Sequence, residues 1–273
     1  MLRFLMLTVV IVLVMSASLC SAGEKQTPSE APTAEFISAS LRNQLHKSAV
    51  KVTYYVADDV DGECDIRATY LRSPNFWSYT GERGSELAWG EYDKKTGLSR
   101  SYVIDQKNRL VGIITDYEAE GLTVAELPDP ILHNMPTGKL ADIIGSGTVS
   151  EKPEVVDGNS CWRVDITPRE RPNDLYSVYV DTKIDCLPRK IVCKWRGGQI
   201  DVSNLSSYEN IGGIWYPKQW RWEATGASGK PVHRELKIAG VELVSEAAAS
   251  KSRPFPSGTI VVDMVNDLEY TIP

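Results

Sequence analysis

The chain has only three histidines in 273 residues, His46, His133 and His233. No His-x-x-x-His spacing occurs, and His233 lies on an alternating strand facing the side of Glu235 and Lys237, so no local pattern supports a histidine-built metal hydrolase. No Cys-x-x-Cys pair occurs and no histidine stands near a cysteine in ligand spacing, so zinc is not expected. Positive charge is short: 36 acidic side chains against 30 basic leave a net of −6. A nucleic-acid binder needs a basic face to neutralise phosphates, and this balance supplies none. It equally disfavours a polybasic patch on an anionic membrane. Gly145-Ser146-Gly147 lacks the strand-turn-helix context of a nucleophile elbow. Gly226-Ala227-Ser228-Gly229-Lys230 lacks the spacing of a phosphate loop, has Pro231 straight after it, and reads as a hairpin turn. The acids Asp58, Asp59, Asp61, Glu63 and Asp65 miss the calcium-loop pattern, whose closing Glu would fall at Ala68, and read as a solvated hairpin tip. With no nucleophile–base pair and no ligand cluster, a non-enzyme requiring no cofactor is expected.

What is present begins with an export signal. Met1-Leu2-Arg3 is a short basic start, and Phe4 to Met15 is an apolar run of 12 residues broken only by Thr8. Ser16 to Ala22 is small and polar-leaning, and cleavage is expected before Gly23. A spanning helix needs ~20 apolar residues, and no second run of comparable length follows, so no permanent membrane span is expected. Leu19 stands where a lipobox wants another residue, which disfavours a lipid anchor at Cys20. Residues 23–33 read as a disordered tether, and 34–273 as a single β-rich domain. Cys64, Cys161, Cys186 and Cys193 remain in the exported chain, where disulfides are the default.

Thr33 or Ala34 opens a helix, with Phe36, Ile37, Leu41, Leu45 and Val50 at three-to-four spacing. The period then switches to two. Strands are predicted at 50–56, 66–70, 75–80, 86–92, 100–105 and 109–114, then 161–167, 175–181, 189–196, 199–208, 214–224, 231–244 and 259–265. The fold class is therefore α+β, mainly antiparallel β, with sequential strands pairing as a meander. Residues 115–150 are proline-studded and read as a helical or irregular lid over one sheet face. In the second half, Trp162, Val164 and Ile166 share a face. So do Ile191, Cys193 and Trp195, and so do Trp220, Trp222 and Ala224. Strand order puts Cys161 and Asp181 at one end with Cys186 just beyond, which makes a Cys161–Cys186 disulfide reasonable. Cys193 is a buried thiol or reaches Cys64.

Seven Trp and twelve Tyr in such a sheet are a heavy aromatic load. A curved sheet whose concave side is incompletely filled leaves an apolar, aromatic-lined space under a lid, which is the form of a lipid site. Each buried methylene would contribute ~0.8 kcal/mol. The candidate lining is Ile191, Trp195, Trp220 and Trp222, with Leu127, Ile131, Leu132 and Met135 in the lid. Trp220→Glu would then weaken lipid uptake without unfolding the chain.

Tyr179-Val180-Asp181-Thr182-Lys183 with Leu187-Pro188-Arg189-Lys190 resembles a hairpin of the outer-membrane lipoprotein-sorting proteins, the LolA/LolB-like family. Tyr208-Glu209-Asn210-Ile211-Gly212-Gly213-Ile214-Trp215-Tyr216-Pro217 is similar to the next hairpin of that family. Pro256-Ser257-Gly258-Thr259-Ile260-Val261-Val262-Asp263 is similar to the closing strand of its larger members. The resemblance implies a half-open curved β-barrel closed by an N-terminal helix and a lid, carrying lipoprotein acyl chains in the periplasm. Family carriers hold a positive residue near the cavity mouth, and no motif around Arg67, Arg72 or Arg83 assigns it. Two readings remain: a carrier of lipid or lipoprotein acyl chains, and an envelope sensor or interaction module that binds protein partners with the same fold.

Overall fold

Thr33 is extended, and its Oγ1 accepts a hydrogen bond from the Phe36 amide at 3.1 Å. That caps one orphan donor and starts helix α1, Ala34–His46. The buried stripe of α1 is Ala34, Ile37, Ser38, Leu41 and Gln44, at helical spacing. Phe36 falls outside that stripe and is 58% exposed, while Val50 belongs to the following strand. The computed structural model describes residues 30–47, 49–58, 66–83, 86–104, 109–116, 134–135, 138–225, 229, 231–249 and 251–273. The expected signal, most of the tether, Cys64, His133 and the lid residues Leu127, Ile131 and Leu132 lie outside the described residues, as do the side chains of His46 and Met135.

The strands of the first half are β1 (Ala49–Asp58), β2 (Ile66–Ser73), β3 (Phe76–Arg83), β4 (Glu86–Asp93), β5 (Leu98–Ile104) and β6 (Leu110–Thr115). Between the halves stand β7 (Asn134–Met135), β8 (Gly138–Lys139), the one-turn helix α2 (Leu140–Ile143), a 3₁₀ turn at Ile144–Ser146, β9 (Thr148–Val149) and β10 (Glu154–Val156). The second half has β11 (Asn159–Ile166), β12 (Leu175–Asp181), β13 (Leu187–Lys194), β14 (Ile200–Ser206), β15 (Glu209–Ile211), β16 (Ile214–Tyr216), β17 (Gln219–Thr225) and β18 (Pro231–Val244). Helix α3 (Glu246–Ala249) and strands β19 (Ile260–Asp263) and β20 (Leu268–Thr271) complete the chain.

One open sheet runs in the order β10, β11, β12, β13, β14, β17, β18, β1, β2, β3, β4, β5, β6, β19, β20, with β9 beside β11. The predicted meanders are present on both sides of a long-range seam, in which β18 pairs antiparallel with β1. β19 departs from the antiparallel expectation and lies parallel to β6, Ile260 opposite Val111. The predicted strand 214–224 is two elements, because Pro217 has no amide to donate and turns a corner. β15 and β16 form a separate hairpin. Its turn is Gly212 and Gly213, both at positive φ, as a tight two-residue turn requires.

The helix side of the sheet is called its inner face. One cluster there joins Ile37 and Leu41 of α1, Leu140 and Ile144, and Trp162, Val164, Val178, Ile191 and Cys193. The α2 segment is thus the described part of the expected lid, and it packs on α1 and the sheet. Gly147 makes this possible: a Cβ there would sit 2.5 Å from Val164 Cγ1. A second cluster covers β1–β3, β17 and β18, and the β15–β16 hairpin lays Ile214 and Tyr216 onto it. Tyr208 packs against both clusters.

The far end of α1 is fastened to the turn after β12. Ser40 Oγ donates to the Asp185 carbonyl at 3.0 Å, Lys47 Nζ to its carboxylate at 3.0 Å, and the Gln44 side-chain amide to the same carboxylate. Asp185 and Cys186 both hold left-handed φ, +59° and +61°. That conformation costs non-glycine residues roughly 1–2 kcal/mol each and persists where surrounding contacts impose it.

Candidate ligand-binding face

Strand register builds the site. Across the inner face of β1–β4, one row reads Val50, Arg72, Trp77, Tyr92. The next reads Val52, Tyr70, Tyr79, Gly90, and the third Tyr54, Ala68, Gly81, Ala88. Period-two alternation puts these side chains on one side and Arg67, Thr69 and Leu71 on the other. The result is an aromatic wall of Tyr54, Tyr70, Trp77, Tyr79 and Tyr92, with the Trp77 and Tyr92 rings 6.4 Å apart. Arg72 stands in this wall at 2% exposure, among the largest fully buried side chains of the protein. A guanidinium kept in such surroundings carries a large desolvation cost. Tyr54, Tyr70, Trp77 and Tyr79 are buried in the same cluster as Trp220, and of the five aromatics Tyr92 alone is half-buried. Among the described residues no group of His, Cys, Asp and Glu has the geometry of a metal site.

The residues expected to line the cavity occupy three different settings. Ile191 is buried under α1. Trp195 packs against the same cluster, edge-on to Tyr176 with centroids 5.9 Å apart, and its indole N–H donates to Asp201 at 2.8 Å. It also borders a hollow of about 340 Å³ with Arg171, Asp174 and Arg196. Trp220 is 2% exposed beneath Ile214 and Tyr216 of the β15–β16 hairpin. Trp222, half-buried on the same face, stands between Ser203 and Arg234. Met135 lies in β7, opposite Gly138. The structure therefore does not bring Ile191, Trp195 and Trp220 together around one cavity, because α1 and the β15–β16 hairpin cover that half of the face. The Tyr54–Tyr92 wall was missed. Its signal was the period-two placement of Tyr70, Trp77 and Tyr79 in 66–73 and 76–83, which needs the register before it becomes one surface.

The motifs that carry the family resemblance have structural work. Asp181 Oδ1 accepts from the Lys183 amide at 2.9 Å, and its Oδ2 from Arg189 Nε at 2.8 Å. Asp181 is buried and Arg189 is 12% exposed, and the Arg189 guanidinium stacks over the Tyr208 ring at 5.4 Å. Asn210 Oδ1 accepts from the Gly213 amide at 3.0 Å and holds the next hairpin turn.

The expected Cys161–Cys186 bridge is absent: Cys161, Cys186 and Cys193 are free, buried thiols. Cys186 sits in the inner cluster beside Ser40 of α1, and Cys161 is not part of that cluster. Burial raises the Cys161 and Cys186 thiols from 9.0 to about 11, and burial raises Cys193 to about 12. Thiol reagents act on the thiolate. At pH 8 these three cysteines are expected to resist a disulfide-exchange reagent in the folded protein and to react fully in denaturant, a difference read directly from absorbance. These folded values lie above the unfolded one. The thiols' contribution to stability is therefore intact below about pH 9 and is lost as pH rises through 11 to 12, where the unfolded chain releases protons first.

No protein-family model matches the chain, and no curated protein matches it. Solved structures do. A domain described as outer membrane lipoprotein-sorting, from Vibrio parahaemolyticus, aligns with TM-score 0.51 at 10% identity, over 80% of this chain and 96% of that one. A LolA superfamily protein from Nitrosomonas europaea aligns with TM-score 0.49 at 16% identity, over 81% and 99% of the two chains. The likeness to the Vibrio domain defines the fold class: this chain shares that domain's fold, an open, curved, mostly antiparallel sheet that does not close into a barrel.

Proposed function

We propose that the protein is an exported, non-catalytic carrier that holds the acyl chains of a lipoprotein, or another lipid, against the inner face of the sheet. The observation that carries the reading is the aromatic content of the inner face: Tyr54, Tyr70, Trp77 and Tyr79 form its buried floor, and Tyr92 and Trp222 stand half-buried on the same face. An apolar chain laid against the half-buried Tyr92 or Trp222 gains ~0.8 kcal/mol per buried methylene. Trp222 extends the same face, is half-buried, and belongs to none of the three core clusters of the described residues. The fold supports the reading, since a domain described as lipoprotein-sorting shares it. No helix among the described residues is long and apolar enough to cross a membrane.

Native mass spectrometry of protein purified from its own cell envelope without detergent is expected to show an adduct of lipid or acylated-peptide mass. Tyr92→Glu and Trp222→Glu change half-buried positions, so both variants are expected to fold. Each is expected to lower uptake of a fluorescent fatty acid about tenfold or more, since a carboxylate in an apolar site opposes burial of the chain. A clean apo mass with no uptake of added lipid, or unchanged uptake in both folded variants, would overturn the reading.

A further inference from the structure

The open sheet ends at β20, and that edge is built unlike a protected one. All four residues of β20 are exposed, with Leu268 at 57% and Tyr270 at 42%, and Met264 and Val265 stand exposed in the turn before it. Natural edge strands are usually blunted by lysine, proline or a covering element. From residue 254 to 273 there is no lysine or arginine, and the charges are Asp263, Asp267 and Glu269. A hollow of about 350 Å³ runs along this hairpin, bounded by Asp263, Met264, Asp267, Leu268 and Glu269.

The register states what would fit. The Ile272 amide donates to the Thr259 carbonyl at 2.9 Å, so Ile272 faces β19. By alternation Tyr270 and Leu268 also bond inward, and the backbone groups of Glu269 and Thr271 point out of the sheet. Side chains alternate as well. Tyr270 and Leu268 pair with Val261 and Asp263, on the face where Val261 packs with Trp89, Tyr102 and Phe255. Glu269 and Thr271 stand on the opposite face. An added strand would set apolar side chains beside Leu268 and Tyr270 and a cation beside Glu269.

We propose that β20 is a docking edge for an extended segment of a partner protein in which apolar and basic residues alternate, bound by strand addition. This goes beyond the carrier reading and does not depend on it, because it uses the terminal edge of the sheet and not the aromatic wall.

The test is fluorescence anisotropy of the whole protein with a short labelled peptide in which valine alternates with lysine. Thr271→Pro removes an outward amide without touching the β19–β20 ladder, where proline is tolerated on an edge. It is expected to weaken binding about tenfold, the effect of losing one ladder bond and its neighbours. Glu269→Lys, which leaves the backbone intact, is expected to weaken it comparably, and a valine–glutamate peptide is expected not to bind. Unchanged urea midpoints establish that both variants are folded. Binding of the valine–lysine peptide that is equal in wild type and both variants would overturn the proposal. So would binding of the valine–glutamate peptide. A concentration-dependent dimer of the wild type that Thr271→Pro abolishes would assign the edge to a second copy and would also overturn it.

Discussion

Trp220→Ala is expected to lower the unfolding free energy by about 3–5 kcal/mol, the range for deleting a buried indole from a packed core. Trp220 is 2% exposed and shares its cluster with Leu205, Leu236, Ile214 and Tyr216. Leu205 and Leu236 are its cross-strand neighbours in β14 and β18. Ile214 and Tyr216 come from the β15–β16 hairpin, which pairs with no other strand among the described residues. Truncation would leave a cavity and loosen the hairpin together. Urea unfolding followed by far-UV circular dichroism reads the effect as a lower midpoint at unchanged slope. A loss below about 1 kcal/mol would show that the hairpin does not bear on the core. The same burial revises the expectation that Trp220→Glu would weaken uptake without unfolding. A carboxylate at this position would be buried in apolar surroundings, so the substitution attacks the fold first. The half-buried Tyr92 and Trp222 are the better positions for testing ligand binding.

Arg189→Met is expected to cost about 3–5 kcal/mol, because it strands a buried carboxylate. Asp181 is 1% exposed, and besides Arg189 its side chain receives only the Lys183 amide among the described hydrogen bonds. The double variant Asp181→Leu with Arg189→Met should recover most of that loss, since removing both charges also removes the desolvation penalty. A double-mutant cycle by urea unfolding measures the coupling. Equal losses in the single and double variants would mean that the pair acts through packing against Tyr208 alone. The outcome bears on how the Asp181-to-Arg189 stretch is read, as a fastening of one hairpin rather than part of a ligand site.

Much of the secondary structure was legible because its causes are local. Thr33 caps its own helix three residues on. Period-two runs marked β1 to β6 and β11 to β14 to within a few residues, since a half-buried strand needs alternation whatever its partner is. The LolA-like resemblance rested on two hairpins and the closing strand, and in the two hairpins its residues serve as turn and ion-pair devices.

What the sequence determined by itself was therefore the elements, their order and the face on which each side chain stands relative to its strand neighbours. Tertiary structure alone decided the rest. The β18–β1 seam and the parallel placement of β19 on β6 join segments far apart in the chain, and no local period encodes such pairings. Cys161 and Cys186 look close along the meander, yet both are free, buried thiols, and Cys186 alone of the two belongs to the cluster under α1. Trp195 and Trp220 looked like a lining until α1 and the β15–β16 hairpin were seen on top of their half of the sheet. Whether an apolar side chain is core or binding surface depends on what covers it, and cover is supplied by distant segments. Period alone says which way Tyr70 and Trp77 point; only register across β1–β4 makes them one wall with Arg72 in it.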